Sequence, residues 1–219
     1  MFKRFIRIVR YRWKLNKEKK KNKMEILEKR ILVDGEAVSD EIINVSAFLN
    51  HQIDVKLLER IGQEFRRRFD DIADKVNMIL TVEASGIAIA AFTAKYFDYV
   101  PVLIAKKENP NTLREGYYFT EISSLADRTL TTIKIEKKFL GEQDRCLIID
   151  DKLAKGEDVL GLAHIAREAG ARVLGAGLVI EKEFQEGGKK VRDKGIRVES
   201  LAIVTKIENG IVYFRRQES

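Results

Sequence analysis

The sequence predicts an α/β fold with a mostly parallel central sheet. Short apolar runs rich in Val, Ile and Leu favour buried strands, and they alternate with longer stretches whose apolar residues recur every three or four positions, as in helices. Such alternation is typical of a parallel sheet covered by helices on both faces. With 219 residues, 45% of them hydrophobic, the chain is long enough for one domain of this kind.

The first half of the chain is predicted to begin with two helices, at residues 24–32 and 55–69. The second helix has its apolar side chains on one face: Leu57, Leu58, Ile61, Phe65 and Phe69. A short buried strand at 78–82, a helix at about 87–96 and a strand at 100–105 follow. The small residues Ala84, Ser85 and Gly86 predict a tight turn between that first strand and its helix.

The second half opens with a polar interval, residues 106–138, whose interior carries β-favouring residues. We expect a mobile β excursion there. The remaining apolar runs predict four strands, at 146–149, 173–180, 200–204 and 211–214. Helices are predicted at 157–169, closed by Gly170, and at about 187–194.

Charge divides the chain into a basic extension, residues 1–23, and a domain at residues 24–219. The extension holds eleven Lys and Arg against one acid, a net charge of +10, so the total of +7 leaves −3 for the domain. We therefore expect no nucleic-acid binding by the folded domain. The extension is predicted to be disordered or helical without a catalytic role. Its apolar residues at helical spacing leave membrane tethering open as a less favoured alternative.

Several protein classes are excluded by what the sequence lacks. No apolar run approaches the roughly 20 residues of a membrane span, and no Walker A, G-x-G-x-x-G or metal-spaced Cys/His pattern is present. The two histidines, His51 and His164, are far apart in sequence. The single Cys146 cannot form an internal disulfide, which fits a cytoplasmic location.

The most informative segment is LIIDDKLAKG, residues 147–156, in which an apolar run meets two adjacent acids, Asp150 and Asp151. Buried carboxylates are costly unless a cation or hydroxyl groups meet them, so the pair predicts a ligand site. Gly156 then opens a helix. Strand, turn and helix in this order commonly bind phosphate, because free N–H groups and the helix dipole favour an anion.

Four segments resemble the type I purine phosphoribosyltransferase family, and within it the bacterial xanthine phosphoribosyltransferases. The segment 147–156 resembles the family's diphosphoribosyl-binding motif. The other three are LTVEASGI at 80–87, SAFLNHQID at 46–54 and VIEKEFQ at 179–185. The resemblance runs from about Met24 to the C-terminus. It implies a mostly parallel sheet flanked by helices, with an N-terminal hood and a long flexible β loop.

The resemblance also implies an activity. It is pentosyl transfer by a glycosyltransferase of purine salvage, which converts xanthine and 5-phosphoribosyl 1-diphosphate (PRPP) to xanthosine 5′-monophosphate (XMP) and diphosphate. We also expect a homodimer. Asp150 and Asp151 are implied to act on the ribose hydroxyls and on the waters of a Mg²⁺ that PRPP carries, with no direct protein ligand. The implied PRPP-binding residues are Ala154, Lys155, Gly156, Glu157, Asp158, Ala84, Ser85 and Lys107. The implied xanthine-binding residues are Ile43, Asn50 and Lys182, with Phe184 as a packing face.

The motif departs from the family at Glu157 and Asp158, which bring negative charge to a predicted anion site. If both point to solvent, the backbone N–H groups of residues 155–158 can still bind a phosphate. The departure and the basic extension leave a second function open, a non-catalytic relative that senses a purine or PRPP. Two alternatives without a functional role also remain. The acid pair could only cap the end of a strand, and Lys182 could be a solvated lysine at a strand end.

Overall fold

The computed structural model describes residues 24–108, 115–124 and 129–217. Five α-helices lie within these ranges: α1 (Glu25–Asp34), α2 (Val55–Arg68), α3 (Gly86–Ala94), α4 (Glu157–Glu168) and α5 (Gly187–Asp193). Shorter turns of other helix types are Ser46–Asn50, which is π-helical, and the 3₁₀ turns Ala73–Lys75, Lys137–Phe139 and Glu183–Gln185.

Ten strands form two sheets in the described ranges. A small antiparallel sheet pairs β1 (Glu36–Ala37) with β2 (Ile43–Asn44). The central sheet contains β3 (Met78–Val82), β4 (Val102–Glu108), β5 (Tyr117–Ser124), β6 (Thr129–Glu136), β7 (Arg145–Leu153), β8 (Arg172–Lys182), β9 (Val198–Glu208) and β10 (Ile211–Phe214). Its order is β10-β9-β8-β7-β3-β4-β6-β5, with the five strands from β9 to β4 parallel and the outer strands antiparallel.

The sheet separates two apolar clusters, because its central strands are buried on both faces. Strand β3 supplies Ile79 to one cluster and Leu80 to the other, as alternation along a strand requires. The first cluster lies under α1, α2 and α3, and the second under α4 and the β5–β6 hairpin. This two-sided packing confirms the predicted α/β class.

Helix α2 follows its predicted pattern closely. Asp54 caps it by accepting a hydrogen bond from the backbone N–H of Leu57 at 3.0 Å. The five apolar residues of its predicted face are all buried, at 3% exposure or less: Leu57, Leu58, Ile61, Phe65 and Phe69. Burial of this face fixes α2 against the sheet.

The predicted β excursion is a hairpin that widens the central sheet. Strand β6 pairs antiparallel with β4, and β5 pairs antiparallel with β6. The strand content of residues 106–138 is therefore confirmed, while its mobility stays a prediction. Residues 109–114 and 125–128 lie outside the described residues. The basic extension 1–23 also lies outside them, so its disorder or helicity stays a prediction.

Residues 24–54, which we call the hood, comprise α1, the β1–β2 sheet and the π-helical turn. Helix α1 contacts β9 and β10, and the turn reaches the carboxyl end of the parallel strands. The hood thus covers the sheet edge where open α/β folds bind ligands. No helix in the described part of the chain is long and apolar enough to span a membrane.

Gly177 tests how tightly the sheet packs against α2. A Cβ at this position would lie 2.8 Å from atoms of both Ile149 and Phe65. We expect Gly177→Ala to lower the free energy of unfolding by about 1–3 kcal/mol, as overpacking does, measured by urea denaturation. Gly141→Ala is the matched control, because a Cβ there meets nothing within 4 Å. A change within about 0.5 kcal/mol is expected for it, and equal effects of both variants would contradict the packing argument.

Candidate active site

Strand β7 holds Asp150 and Asp151, the acid pair, at the carboxyl edge of the sheet. Both are buried, with 4% and 8% exposure. The strand was predicted to end at the residue before them, and that boundary is wrong. It continues because Lys152 and Leu153 pair with Ile180 and Glu181 of β8. The acids therefore sit within a paired strand, which fixes their backbone on one side.

Asp150 is a carboxylic acid in an environment that disfavours its ionised form. Its Oδ1 accepts a hydrogen bond from the N–H of Asp151 at 2.8 Å. Burial, followed by the charges of Asp151 and Asp158, raises the pKa of Asp150 well above its usual value, and Lys107 opposes them. Gly86 leaves room for the carboxylate, because a Cβ there would lie 2.8 Å from Asp150 Oδ1. Such an acid favours a ligand that brings positive charge or hydrogen-bond donors.

Asp151 joins the acid pair to the hood. The side-chain amide of Asn50 donates to Asp151 Oδ2 at 3.2 Å, although the two residues are 101 positions apart. Lys152 Nζ lies 3.6 Å from the same oxygen. Asn50, predicted to contact the base, therefore contacts the predicted ribose-binding acid in this structure.

The turn of residues 154–156, which we call the β7–α4 turn, leads directly into α4. Gly156 has φ +85°, a left-handed conformation that glycine adopts without strain. Ala154 is half-buried and Lys155 is exposed. The first N–H groups of α4 have no partner within the helix, and anion binding by these residues stays a prediction.

Asp158 is half-buried in the first turn of α4. Burial raises the pKa of Asp158, Lys107 lowers it, and the nearby charges of Asp151 and Glu157 raise it further. The charges of the acid pair and of Lys107 therefore act on Asp158. Glu157 is half-buried in the same first turn. The site contains a third acid that the sequence pattern had assigned to the phosphate region.

A second small turn, Ala84 and Ser85, follows β3 beside the acid pair. It is anchored by Glu83, whose Oε1 accepts from the N–H of Lys107 at 2.6 Å and whose Oε2 lies 3.2 Å from Lys106 Nζ. The peptide between Glu83 and Ala84 is cis. Ala84 is exposed and Ser85 half-exposed, so the turn presents its backbone at the sheet edge.

Lys106 and Lys107 belong to strand β4 rather than to the start of the polar interval. They are ordered by pairing with β6, where Lys107 lies opposite Ile133. Lys106 is engaged by Glu83. Lys107 is exposed, and its positive charge lowers the pKa of both Asp150 and Asp158. This charge comes from β4, which is separated from β7 by β3.

The predicted base-binding residues gather where the hood meets β8. Lys182, the last residue of β8, donates from Nζ to the backbone carbonyl of Glu41 at 3.1 Å. Burial and the charge of Lys152 lower its pKa, while Glu41 and Asp151 oppose them. Ile43 in β2 is 6% exposed and packs in the first apolar cluster, which Phe184 also borders. Lys182 is therefore not a solvated strand-end lysine.

Three residues of the site were not singled out by the sequence pattern. Thr81 is fully buried, and its hydroxyl has no hydrogen-bond partner among the residues that the structure describes. Glu83 orders both lysines of β4, and Lys152 neutralises part of the acid pair. A hydroxyl inside the apolar run 78–82 is the one signal that could have marked Thr81, since a buried hydroxyl normally needs a partner.

Comparison with known proteins identifies the family. No family model matches the chain. A xanthine phosphoribosyltransferase of Clostridium novyi is 48% identical over 192 residues, which are 88% of this chain and 100% of that protein. One from Oceanobacillus iheyensis is 45% identical over 194 residues, 89% of this chain and 98% of that protein. The chain belongs to the xanthine phosphoribosyltransferase family.

Solved structures independently support the fold of this family member. An adenine phosphoribosyltransferase of Rhodothermus marinus superimposes with a TM-score of 0.64 at 16% identity, covering 83% of this chain and 98% of that one. One from Giardia lamblia, complexed with 9-deazaadenine, gives 0.62 at 21% identity, covering 74% and 85%. The predicted type I phosphoribosyltransferase fold is confirmed.

The raised pKa of Asp150 predicts a pH-dependent stability of known sign. The folded protein retains a proton that the unfolded chain releases above about pH 4, so ionisation costs stability as the pH rises. Asp150→Asn stays neutral and keeps the acceptor for the N–H of Asp151. We expect this variant to be more stable than the parent at pH 7, with the difference shrinking toward pH 4, in urea denaturation.

Asp71 provides a control of opposite sign. Hydrogen bonds from Arg197 lower the pKa of Asp71, so its ionised form is favoured in the folded protein. Asp71→Asn is expected to be less stable than the parent at pH 7, with the deficit disappearing toward low pH. Identical pH profiles for the two variants would contradict the assigned environments.

Proposed function

We propose that this protein transfers the 5-phosphoribosyl group of PRPP to xanthine, forming XMP and diphosphate. The observation that carries the proposal is the buried acid pair, set beside the β7–α4 turn and beneath a hood whose Asn50 reaches it. The relatives named xanthine phosphoribosyltransferase supply the reaction class.

The chemistry accounts for the acids. As the bond from the ribose to diphosphate breaks, positive charge develops on the sugar and negative charge on the leaving group. Asp150 and Asp151 accept hydrogen bonds from the ribose hydroxyls and stabilise the sugar electrostatically. Lys107 on β4 and the backbone of Ala84 and Ser85 in the turn after β3 are assigned to the diphosphate.

The β7–α4 turn is assigned to the 5′-phosphate. The backbone N–H groups of Lys155, Gly156 and the first residues of α4 donate to it, and the helix dipole favours its charge. Burial raises the pKa of Asp158, and the charge of Lys107 opposes this and offsets part of the negative charge of Asp158. This arrangement removes part of the repulsion expected from Glu157 and Asp158.

The oxopurine is assigned to the space between the hood and the end of β8. Lys182 exchanges its bond to the carbonyl of Glu41 for one to the 6-oxo group. Asn50 donates its amide to the 2-oxo edge, and Ile43 and Phe184 supply apolar packing. A site built to bond a particular oxo group disfavours purines that lack it.

Magnesium is proposed to accompany PRPP. The acid pair fits Mg²⁺, a hard cation that prefers oxygen ligands and keeps several waters. A cation would also reduce the repulsion between the two adjacent buried carboxylates. Asp150 and Asp151 would hold it through water and ribose oxygens. Bound there, Mg²⁺ supplies positive charge to the diphosphate.

We also propose that the enzyme is a homodimer that acts in the cytoplasm. The homodimer is what the resemblance to the family implies, and a buried Cys146 without a disulfide fits a reducing compartment. Light scattering of the purified protein tests the dimer directly, and a monomer at assay concentration would contradict it.

A purine assay tests the proposed reaction. With PRPP and Mg²⁺, we expect kcat/KM for xanthine to exceed the values for guanine and hypoxanthine by about tenfold or more, the scale set by one discriminating polar contact. Product formation is followed by chromatography of the nucleotides. Turnover of no purine, with measurable PRPP binding, would instead support the alternative of a non-catalytic sensor.

Substitution of the acids tests their role. We expect Asp150→Asn combined with Asp151→Asn to lower kcat by about a thousandfold, as the loss of preorganised charge does, while circular dichroism stays unchanged. Asp74→Asn, at a side chain that is 91% exposed, is the control and should keep the parental rate. A double variant with more than a tenth of the parental kcat would rule the acids out as catalytic groups.

A further inference from the structure

Glu181 is a buried carboxylate that the proposed reaction does not use. It is 3% exposed and directly precedes Lys182 near the end of β8. Arg192 of α5 donates to its two oxygens at 2.8 and 2.9 Å, and the hydroxyl of Ser200 on β9 donates at 2.5 Å. Burial raises the pKa of Glu181, but the bonds from Arg192 and Ser200 outweigh it and hold the pKa below its usual value.

Two consecutive glycines fit α5 between this carboxylate and the β7–α4 turn. The N–H of Gly187 donates to the carbonyl of Ala154 at 3.0 Å. A Cβ on Gly187 would overlap atoms of that turn, including Gly156 N at 2.6 Å, and a Cβ on Gly188 would overlap the Glu181 carboxylate. The start of α5 is therefore in close contact with both structures at once.

Arg192 fixes the geometry between α5 and the Glu181 carboxylate. A guanidinium that donates two parallel bonds fixes the angle as well as the distance of its carboxylate. Ser200 donates to the same carboxylate from β9, the strand that pairs with β8. The end of β8, where Lys182 leaves the sheet, is thus held from two sides.

We propose that Glu181, Arg192 and Ser200 are positioning residues that couple the 5′-phosphate turn to base recognition. Helix α5 sets the spacing between the β7–α4 turn and Lys182, so that one nucleotide meets both ends of the site. The inference rests on the proposed function, because it assigns the phosphate to that turn and the base to Lys182. None of the three residues touches substrate in this assignment.

Substitution of Arg192 tests the coupling. We expect Arg192→Met to raise the KM for xanthine about tenfold while the KM for PRPP stays within twofold, with Arg192→Lys in between, because lysine keeps the charge but loses the paired bonds. Lys189→Met is the matched control. It removes a cation and its 2.5 Å ion pair with Asp193 from the same helix and should keep both KM values.

A double variant separates positioning from stability. Arg192→Met alone leaves a buried charge unpaired and lowers Tm, whereas Glu181→Gln combined with Arg192→Met removes both charges and should recover most of that Tm. The inference requires the KM for xanthine to stay raised in the double variant. Recovery of the parental KM together with Tm would overturn it, as would unchanged KM values in Arg192→Met.

Calorimetric titration with XMP gives a readout that does not depend on turnover. We expect Arg192→Met to bind XMP about tenfold more weakly than the parent and than Lys189→Met. A parent protein that binds XMP but converts no purine would contradict the proposed function and leave this comparison valid. Equal XMP affinity of Arg192→Met and the parent would overturn the inference alone, and a parent that neither binds XMP nor converts a purine would contradict both.

Discussion

The burial of two adjacent carboxylates in a central strand is the constraint on which the rest of the site depends. Asp150 and Asp151 lie in a part of β7 that pairs with β8 on one side, and they have little solvent to stabilise their charge. Like charges in such a place repel one another and favour protonation. The surrounding residues make room for the acids, donate hydrogen bonds to them or supply positive charge, and each of these residues positions a part of the site.

The space around the acids and the charges near them come from different elements. The first residue of α3 is Gly86, and its lack of a side chain leaves space for Asp150. Asn50 donates to Asp151 from the hood, and Lys152 lies near the same oxygen. Lys107 contributes charge from β4, and Glu83 fixes the backbone of that lysine. Stabilising the acids without ligand therefore brings hood, turn and lysine to the position where a ribose diphosphate would need them.

Much of the fold could be predicted from local pattern, because burial on both faces leaves uninterrupted apolar runs. Strands β3 and β10 match the predicted residues, and helix α2 buries its predicted face. Strands β4 and β7 were predicted too short for one reason. Most of the residues that the prediction left out at their ends are polar or charged and are held by pairing with β6 and β8. Such pairing depends on partners far away in sequence.

The candidate site divides in the same way. Its motif residues could be found because strand, turn and helix are contiguous in the sequence, whereas the bond between Asn50 and Asp151 joins positions 101 apart and follows only from the fold. The environment of Asp158 is the clearest case. In the sequence it is an acid in a helix first turn, where the dipole favours negative charge. In the structure burial raises the pKa of Asp158, Lys107 lowers it, and the charges of Asp151 and Glu157 raise it. A bound cation would relieve the repulsion among all three acids together, which makes ligand charge, and not only shape, a determinant of how this site is occupied.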